Sequence, residues 1–267
     1  MKIARVFPRK TKATPNDDLS FFDVPGLFPP EVDEVHVSVT FTWDINRAER
    51  LAHQWEHIAP IKFGGPAYGN PSGEFVPGLY VKPGYVITSR GCQNNCWFCS
   101  VWRREPKLIE LQIHDGFNIL DDNLLACSEN HIRSVFEMLK RQNKPVEFTG
   151  GLEAALLKKW HIDLFLSIRL KQMFFAYDTK EDLDPLFEAA KLLEESGLNR
   201  NHKARCYVLI GYPTDTFNSA DLRLRQTLFL GYTPMAMLWR NKNGDTSYEW
   251  RKFQRKWARP AIIHSKK

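Results

Sequence analysis

The sequence predicts an α/β fold: a partial (β/α)6 barrel preceded by a small doubly wound βαβ unit. Three observations lead there. Short β-branched and aromatic runs alternate with stretches whose apolar residues recur every three to four positions, the rhythm of parallel strands joined by crossover helices. A segment rich in Gly and Pro, residues 66–83, separates one such unit from the rest. Beyond it six candidate strands follow, at 84–89, 117–121, 146–149, 173–177, 206–210 and 234–238, enough for an open barrel with its active site at the C-terminal strand ends.

In the N-terminal unit, a first strand is expected at Lys2 to Phe7. Val35, Val37, Val39 and Phe41 then alternate with polar residues, as in a strand with one buried face. Asp44 or Asn46 can cap the helix that carries Ala48, Leu51, Ala52, Trp55 and Ile58, and Ile61-Lys62-Phe63 returns as a strand. In the larger unit, Ser128 is the expected N-cap of a helix bearing Ile132, Val135, Phe136 and Leu139, which stops at Asn143-Lys144-Pro145. Leu183, Leu186, Phe187, Ala190 and Leu193 form the stripe of the next clear helix, with acids in its first turn and Gly197 where a left-handed residue ends it. A further helix runs from about Ser219 to Gly231. The domain reading is therefore residues 1–83, 84–240 and a basic aromatic tail, 241–267.

Composition narrows the class. At 267 residues, 43% hydrophobic and 25% charged, the chain reads as an ordinary globular protein with no membrane partner, and its start lacks a signal-peptide pattern, so a cytoplasmic location is expected. Five cysteines are odd in number, and Cys92, Cys96 and Cys99 fall within eight residues, unlike a secreted disulfide framework. Reduced thiols with a ligand role are expected.

Those three cysteines sit in Arg90-Gly91-Cys92-Gln93-Asn94-Asn95-Cys96-Trp97-Phe98-Cys99, directly after the strand Tyr85-Val86-Ile87-Thr88-Ser89. Three soft thiolates on one short loop can hold three irons of a cubane and leave the fourth open to a ligand. A structural zinc site, with Cys127 or a histidine as fourth ligand, is the competing reading; it belongs to a non-catalytic zinc- or cluster-binding protein that holds nucleic acid. Zinc sites are usually built from paired C-x-x-C knuckles, and this chain has one such pair.

The spacing C-x3-C-x2-C, with Phe98 before the third cysteine, resembles the signature of the radical S-adenosylmethionine (radical SAM) enzymes, and the resemblance extends over about residues 84–240. It implies a [4Fe-4S] cluster on Cys92, Cys96 and Cys99, with S-adenosylmethionine chelated to the open iron. It further implies reductive cleavage to a 5′-deoxyadenosyl radical that abstracts hydrogen from a substrate, and an external electron donor such as flavodoxin or ferredoxin. The family binds the methionine amine near the second strand's end, often with Gly-Gly-Glu. Here both Asp122-Asn123, ending that strand, and Gly150-Gly151-Leu152-Glu153, after the third, can serve. Helix capping and a tight turn are their structural alternatives. Tyr177 and Asp178, at the end of the fourth strand, match a ribose or carboxylate contact. The fifth strand resembles the adenine-contacting one, with Tyr207 in place of the usual first glycine, and Phe98 is expected near the adenine.

The interval from Cys99 to Asn118 is too short for an ordinary crossover helix, which predicts an abbreviated connection open to a bulky substrate. The N-terminal unit looks like a shortened cobalamin-binding domain, but it lacks Asp-x-His-x-x-Gly around His36, His53 and His57, so cobalamin is not expected and a packing role is. Cys127 and Cys206 are too few for a second cluster and read as structural.

Charge is uneven. Residues 239–267 carry nine Lys or Arg and two acids, whereas the net charge of the whole chain is +6. Trp250, Phe253 and Trp257 share one helical face of this tail and its bases lie elsewhere. Such a segment can hold phosphates and stack bases, which suggests a phosphate-bearing substrate; a C-terminal helix packed on the barrel with a solvated basic side is the alternative.

Overall fold

The computed structural model describes residues 1–69, 74–258 and 263. Residues 70–73 of the Gly/Pro segment, and the end of the basic tail including Arg259, lie outside the described residues.

Two parallel sheets organise the chain. The first has the order β2-β1-β3-β4, built from β1 (Ile3–Val6), β2 (Ser20–Phe21), β3 (Glu34–Ser38) and β4 (Ile61–Gly64). One helix, α1 (Ile45–Trp55), crosses from β3 to β4 and buries Ala48, Leu51, Ala52 and Trp55 against Val35 and Val37. The two-residue β2 lies beyond the βαβ unit read from the sequence; so short a strand leaves no periodicity to detect. Asp44 occupies the N-cap position of α1 without capping it, because its carboxylate accepts from Arg9 at 2.7 Å through each oxygen.

The second sheet has the order β12-β11-β10-β9-β8-β5, all parallel. Its strands are β5 (Tyr85–Val86), β8 (Asn118–Ile119), β9 (Val146–Phe148), β10 (Leu170–Ala176), β11 (Ala204–Ile210) and β12 (Thr233–Leu238). Each overlaps one of the six expected strands, although β5 and β8 hold only two residues each. The helices α3 (Glu129–Gln142), α4 (Lys159–Leu166), α5 (Leu183–Glu195) and α6 (Phe217–Phe229) provide the crossovers. Their starts and stops follow local chemistry: Ser128 Oγ accepts from His131 N–H at 3.2 Å, Asn143 closes α3 in the left-handed region, and Gly197 does so after α5. Phe187 departs from the expected stripe. It is 44% exposed, with the Lys191 ammonium 4.3 Å from its ring centroid.

The connection from β5 to β8 is abbreviated, as its length requires. It holds one turn of helix, α2 (Val101–Arg104), and an antiparallel pair, β6 (Ser89–Arg90) with β7 (Ile109–Glu110). The two faces of the larger sheet differ. Val146, Phe148, Met173, Phe175, Cys206 and Val208 are buried on one, where Phe148 meets Phe136 of α3 and Phe165 of α4. Glu147, Thr149, Gln172, Arg205 and Tyr207, alternating with them, are only half-buried on the other.

After β12 the chain forms α7 (Tyr248–Lys256). Trp250 packs on Phe217 at 4.3 Å, Gln254 Nε2 donates to the Ala236 carbonyl at 2.8 Å, and Trp257 is 2% exposed, so the aromatic face of the tail is its packing face. Among the described residues, no helix is long and apolar enough to cross a membrane.

Candidate functional site

The cysteine loop leaves β5 at its C-terminal end and is held there by two neighbouring carboxylates. Asp121, 1% exposed at the end of β8, accepts from Thr88 N–H at 2.6 Å, Thr88 Oγ1 at 2.5 Å and Ser89 Oγ at 2.8 Å. Burial raises its pKa and these donors offset part of that cost. Asp122 works on the loop itself. Its Oδ2 accepts from Gly91 N–H and its Oδ1 from Arg104, both at 2.9 Å, so one carboxylate ties the two ends of a segment that contains all three cysteines. Gly91 has φ +87°, and a Cβ there would stand 2.1 Å from the Lys107 carbonyl oxygen, so the turn into Cys92 requires glycine.

Within the loop, Cys99 N–H bonds the Cys96 carbonyl at 3.0 Å, which also accepts from Trp102 Nε1 at 2.9 Å. Donors face two of the sulfurs: Asn94 N–H lies 3.5 Å and Asn123 Nδ2 3.6 Å from Cys92 Sγ, and Val101 N–H lies 3.4 Å from Cys99 Sγ. Burial, then the neighbouring Cys99 and Cys92, push the Cys96 thiol up to about 11. Burial raises Cys99 too, against the Val101 N–H. Three mutually repelling thiolates gathered with N–H donors suit a cationic iron-sulfur core, which removes the repulsion on binding. Among the described residues, no three His, Cys, Asp or Glu side chains converge as donors to a single ion require. A cubane spreads its thiolates over separate irons and needs no such convergence.

The two segments expected to compete for one role meet. Asn123 Nδ2 donates to Glu153 Oε2 at 2.5 Å, beside Cys92. Asn123 is 3% exposed, and its Oδ1 is buried without a hydrogen-bond partner among the described residues. A buried acceptor beside a carboxylate suits an ammonium group. Gly150 makes the meeting possible. A Cβ there would lie 2.1 Å from the Asp121 carbonyl oxygen, so the backbones after β8 and β9 touch, while Gly151 turns the chain at φ +112°.

Other expected positions divide. Phe98 is half-buried against Trp97, edge to face at 5.4 Å, and Trp97 in turn meets Tyr212 beyond β11 at 5.5 Å. The loop thus lies over the strand ends. Tyr207 OH donates to the Thr149 carbonyl at 3.2 Å and its ring stacks on Phe174, on the half-buried face of the sheet. Asp178 accepts from Leu209 N–H at 2.9 Å and bridges the ends of β10 and β11. Tyr177 is not brought to the site: it is 3% exposed on the helix-facing side, where its hydroxyl donates to Gln226 Oε1 at 2.8 Å. The role of Asp121 had no sequence signal, since it depends on Thr88 and Ser89, more than thirty residues away in the chain. Cys127 and Cys206 are buried, with burial pushing Cys127 up to about 12 and Cys206 well above the ordinary thiol range.

In the N-terminal unit both nitrogens of His36 are engaged, Nδ1 with Tyr80 OH at 2.6 Å and Nε2 with Glu34 at 2.7 Å. An open groove of about 610 Å³ runs along α1, lined by Asp23, Arg47, Arg50 and His53, and includes none of the expected site residues.

No family model matches the chain, and no curated protein matches it in sequence. Among solved structures it is similar to the radical S-adenosylmethionine methyltransferase TsrM from Kitasatospora setae, whose structure holds cobalamin and a [4Fe-4S] cluster. The TM-score is 0.60 at 11% identity, over 78% of this chain and 64% of the methyltransferase. The likeness is one of fold: this chain has the α/β arrangement of parallel sheets seen in that enzyme.

Proposed function

We propose that the protein is a radical S-adenosylmethionine enzyme with a partial (β/α)6 barrel, in which Cys92, Cys96 and Cys99 hold a [4Fe-4S] cluster. The observation that carries this reading is that Asn123 approaches Cys92 and binds Glu153 through the same amide nitrogen, with its buried Oδ1 unpartnered among the described residues. The fold shared with an enzyme of that class supports it. When bound, the cluster would supply the electron that splits S-adenosylmethionine into methionine and a 5′-deoxyadenosyl radical.

The chain's own residues bind, orient and shield. Asn123 Oδ1 and Glu153 receive the amine, whose positive charge offsets the Glu153 carboxylate. Phe98 and Tyr207 offer apolar ring surface to the adenosyl group. Asp121 and Asp122 keep the loop in place so that binding costs little reorganisation. The abbreviated crossover after β5 leaves one side of the strand ends accessible to a substrate, and reducing electrons would come from a separate flavodoxin- or ferredoxin-type donor.

Anaerobic reconstitution followed by iron and sulfide analysis, visible absorption and assay for 5′-deoxyadenosine tests the proposal. A brown protein with four irons per chain that releases 5′-deoxyadenosine under a low-potential reductant is expected. A colourless protein holding one zinc would overturn it.

A further inference from the structure

Four cations lie on one side of α7. Arg251, Lys252, Arg255 and Lys256 are all exposed, and none makes an ion pair among the described residues. Their spacing places Arg251 beside Arg255 and Lys252 beside Lys256 on adjacent turns, where like charges destabilise a helix unless an anion offsets them. The helix is anchored through its opposite face, on Trp250, Gln254 and Trp257, so the cations are held in a fixed array.

A chain of contacts links this array to the site. Trp250 packs against Gly211, where a Cβ would lie 2.9 Å from the indole; the next residue, Tyr212, meets Trp97 of the cysteine loop at 5.5 Å. Trp97 is 49% exposed and Tyr248, at the start of α7, is 61% exposed. Tyr248 shares the cationic side of α7 by its spacing to Lys252, and Trp97 stands on the loop at the strand ends; a single-stranded nucleic acid uses such features together, with its phosphates on the cations and unstacked nucleobases on exposed rings. A duplex leaves those rings without a partner, and a base inside it cannot reach a site at the strand ends unless it is extruded. The aromatic contribution therefore falls to Trp97 and Tyr248, since Trp250 and Trp257 are occupied in packing.

We propose that the face of α7 bearing Arg251, Lys252, Arg255 and Lys256 docks a single-stranded nucleic acid and leads it toward Trp97 at the mouth of the site. The identity of that strand as substrate rests on the radical reading above. Its binding does not, because docking requires neither S-adenosylmethionine nor a reductant.

The test is titration of fluorescent single-stranded RNA and DNA oligonucleotides against the intact, cluster-loaded protein from 50 to 200 mM salt. The Arg251→Gln, Lys252→Gln, Arg255→Gln, Lys256→Gln combination should lower the slope of log affinity against log salt by about 3, since each phosphate contact on a single strand contributes about 0.7. Over that salt range the native protein would then lose about 50-fold more affinity than the variant. A charge-preserving exchange of Arg for Lys and Lys for Arg at the same positions should keep the native slope, and circular dichroism and iron content confirm that both variants are folded and loaded. Neutralising the exposed Lys12, Arg50, Lys140 and Lys159 instead should have a much smaller effect. An unchanged slope in the folded glutamine variant, an equal loss in this second set, preference for duplex, or binding of an acidic flavodoxin in place of the oligonucleotide would each overturn the assignment. Strand binding with no 5′-deoxyadenosine would refute the radical reading and leave the docking surface standing.

Discussion

Asn123 Nδ2 donates to Glu153 Oε2 across 2.5 Å, joining the end of one strand-helix connection to the next. The bond also fixes the orientation of the amide: with its nitrogen on Glu153, its oxygen is left buried and open to a donor. Replacing Asn123 by Ala removes the acceptor and leaves Glu153 unpaired. A hydrogen bond between a charged and a buried neutral group contributes about 1.5–3 kcal/mol, so affinity for S-adenosylmethionine should fall by roughly 10- to 150-fold. Iron content should be unchanged. Calorimetric titration of S-adenosylmethionine into the loaded variant measures this, and native affinity would contradict the placement.

Asp122 predicts a different phenotype. With Ala there, Gly91 N–H and Arg104 both lose their acceptor and the cysteine loop loses the contact that ties its ends. Iron should then leave for a chelator on the order of tenfold faster than from the native protein, a rate that corresponds to about 1.4 kcal/mol, and Arg104→Gln should act in the same direction. Equal release rates would mean that the cysteines alone hold the loop.

Each of Cys92→Ser, Cys96→Ser and Cys99→Ser should abolish the visible absorption of the cluster, whereas Cys127→Ser and Cys206→Ser should keep it. Both are buried in the hydrophobic core, Cys206 within β11 and Cys127 ahead of α3, and neither belongs to the loop that carries the other three. Loss of colour in a folded Cys127→Ser protein would place a fourth cysteine on the metal.

The strands and most helix ends were legible because alternation, Ser128, Asn143 and Gly197 are local signals read over a few residues. The clustering of Cys92, Cys96 and Cys99 was legible for the same reason, since their spacing is a property of one loop. The bonds that Asp122 makes to Gly91 and Arg104 were not legible, because these partners lie far from it in sequence and are brought to it only by the packing of β8 beside β5. Tyr177 failed for a subtler reason. A shift of one residue along β10 moves a side chain from the open face to the helix-facing one, and sequence places strand ends no better than that. The choice between Asp122-Asn123 and Gly150-Glu153 could not be made from sequence because there was none to make: the segments touch.

That contact depends on Gly150. Gly150→Ala would drive a methyl group into the Asp121 carbonyl and separate β9 from β8 at their C-terminal ends. Thermal or urea unfolding should show destabilisation on the order of 2 kcal/mol, as for other forced overpacking. Gly151→Ala meets open space and bears only the strain of φ +112°, so it should cost about 1 kcal/mol, the low end for a side chain held at positive φ. The reverse ranking would show that conformation, not close approach, selects glycine here.

The pH dependence of stability isolates Asp178. Burial, with Asp182 nearby and in spite of the Leu209 N–H, pushes its pKa up to about 7, whereas in the unfolded chain it is about 4. Below that lower value the group is protonated in both states and costs nothing. As pH rises between the two values the unfolded chain releases the proton and the folded chain retains it, so stability falls through this window and levels off above about 7. Asp178→Asn keeps an acceptor for Leu209 N–H and removes the titration. The difference in unfolding free energy, native minus variant, should therefore become less favourable to the native protein by on the order of 2 kcal/mol between pH 4 and pH 8, an amount discounted for the partial exposure of the carboxylate. Because depressed carboxylates elsewhere, such as Asp17 held low by Leu19 N–H and Arg5, titrate alike in both proteins, they cancel in the difference. Urea unfolding at a series of pH values reads it directly, and a flat difference would mean that Asp178 ionises in the folded protein as freely as in water.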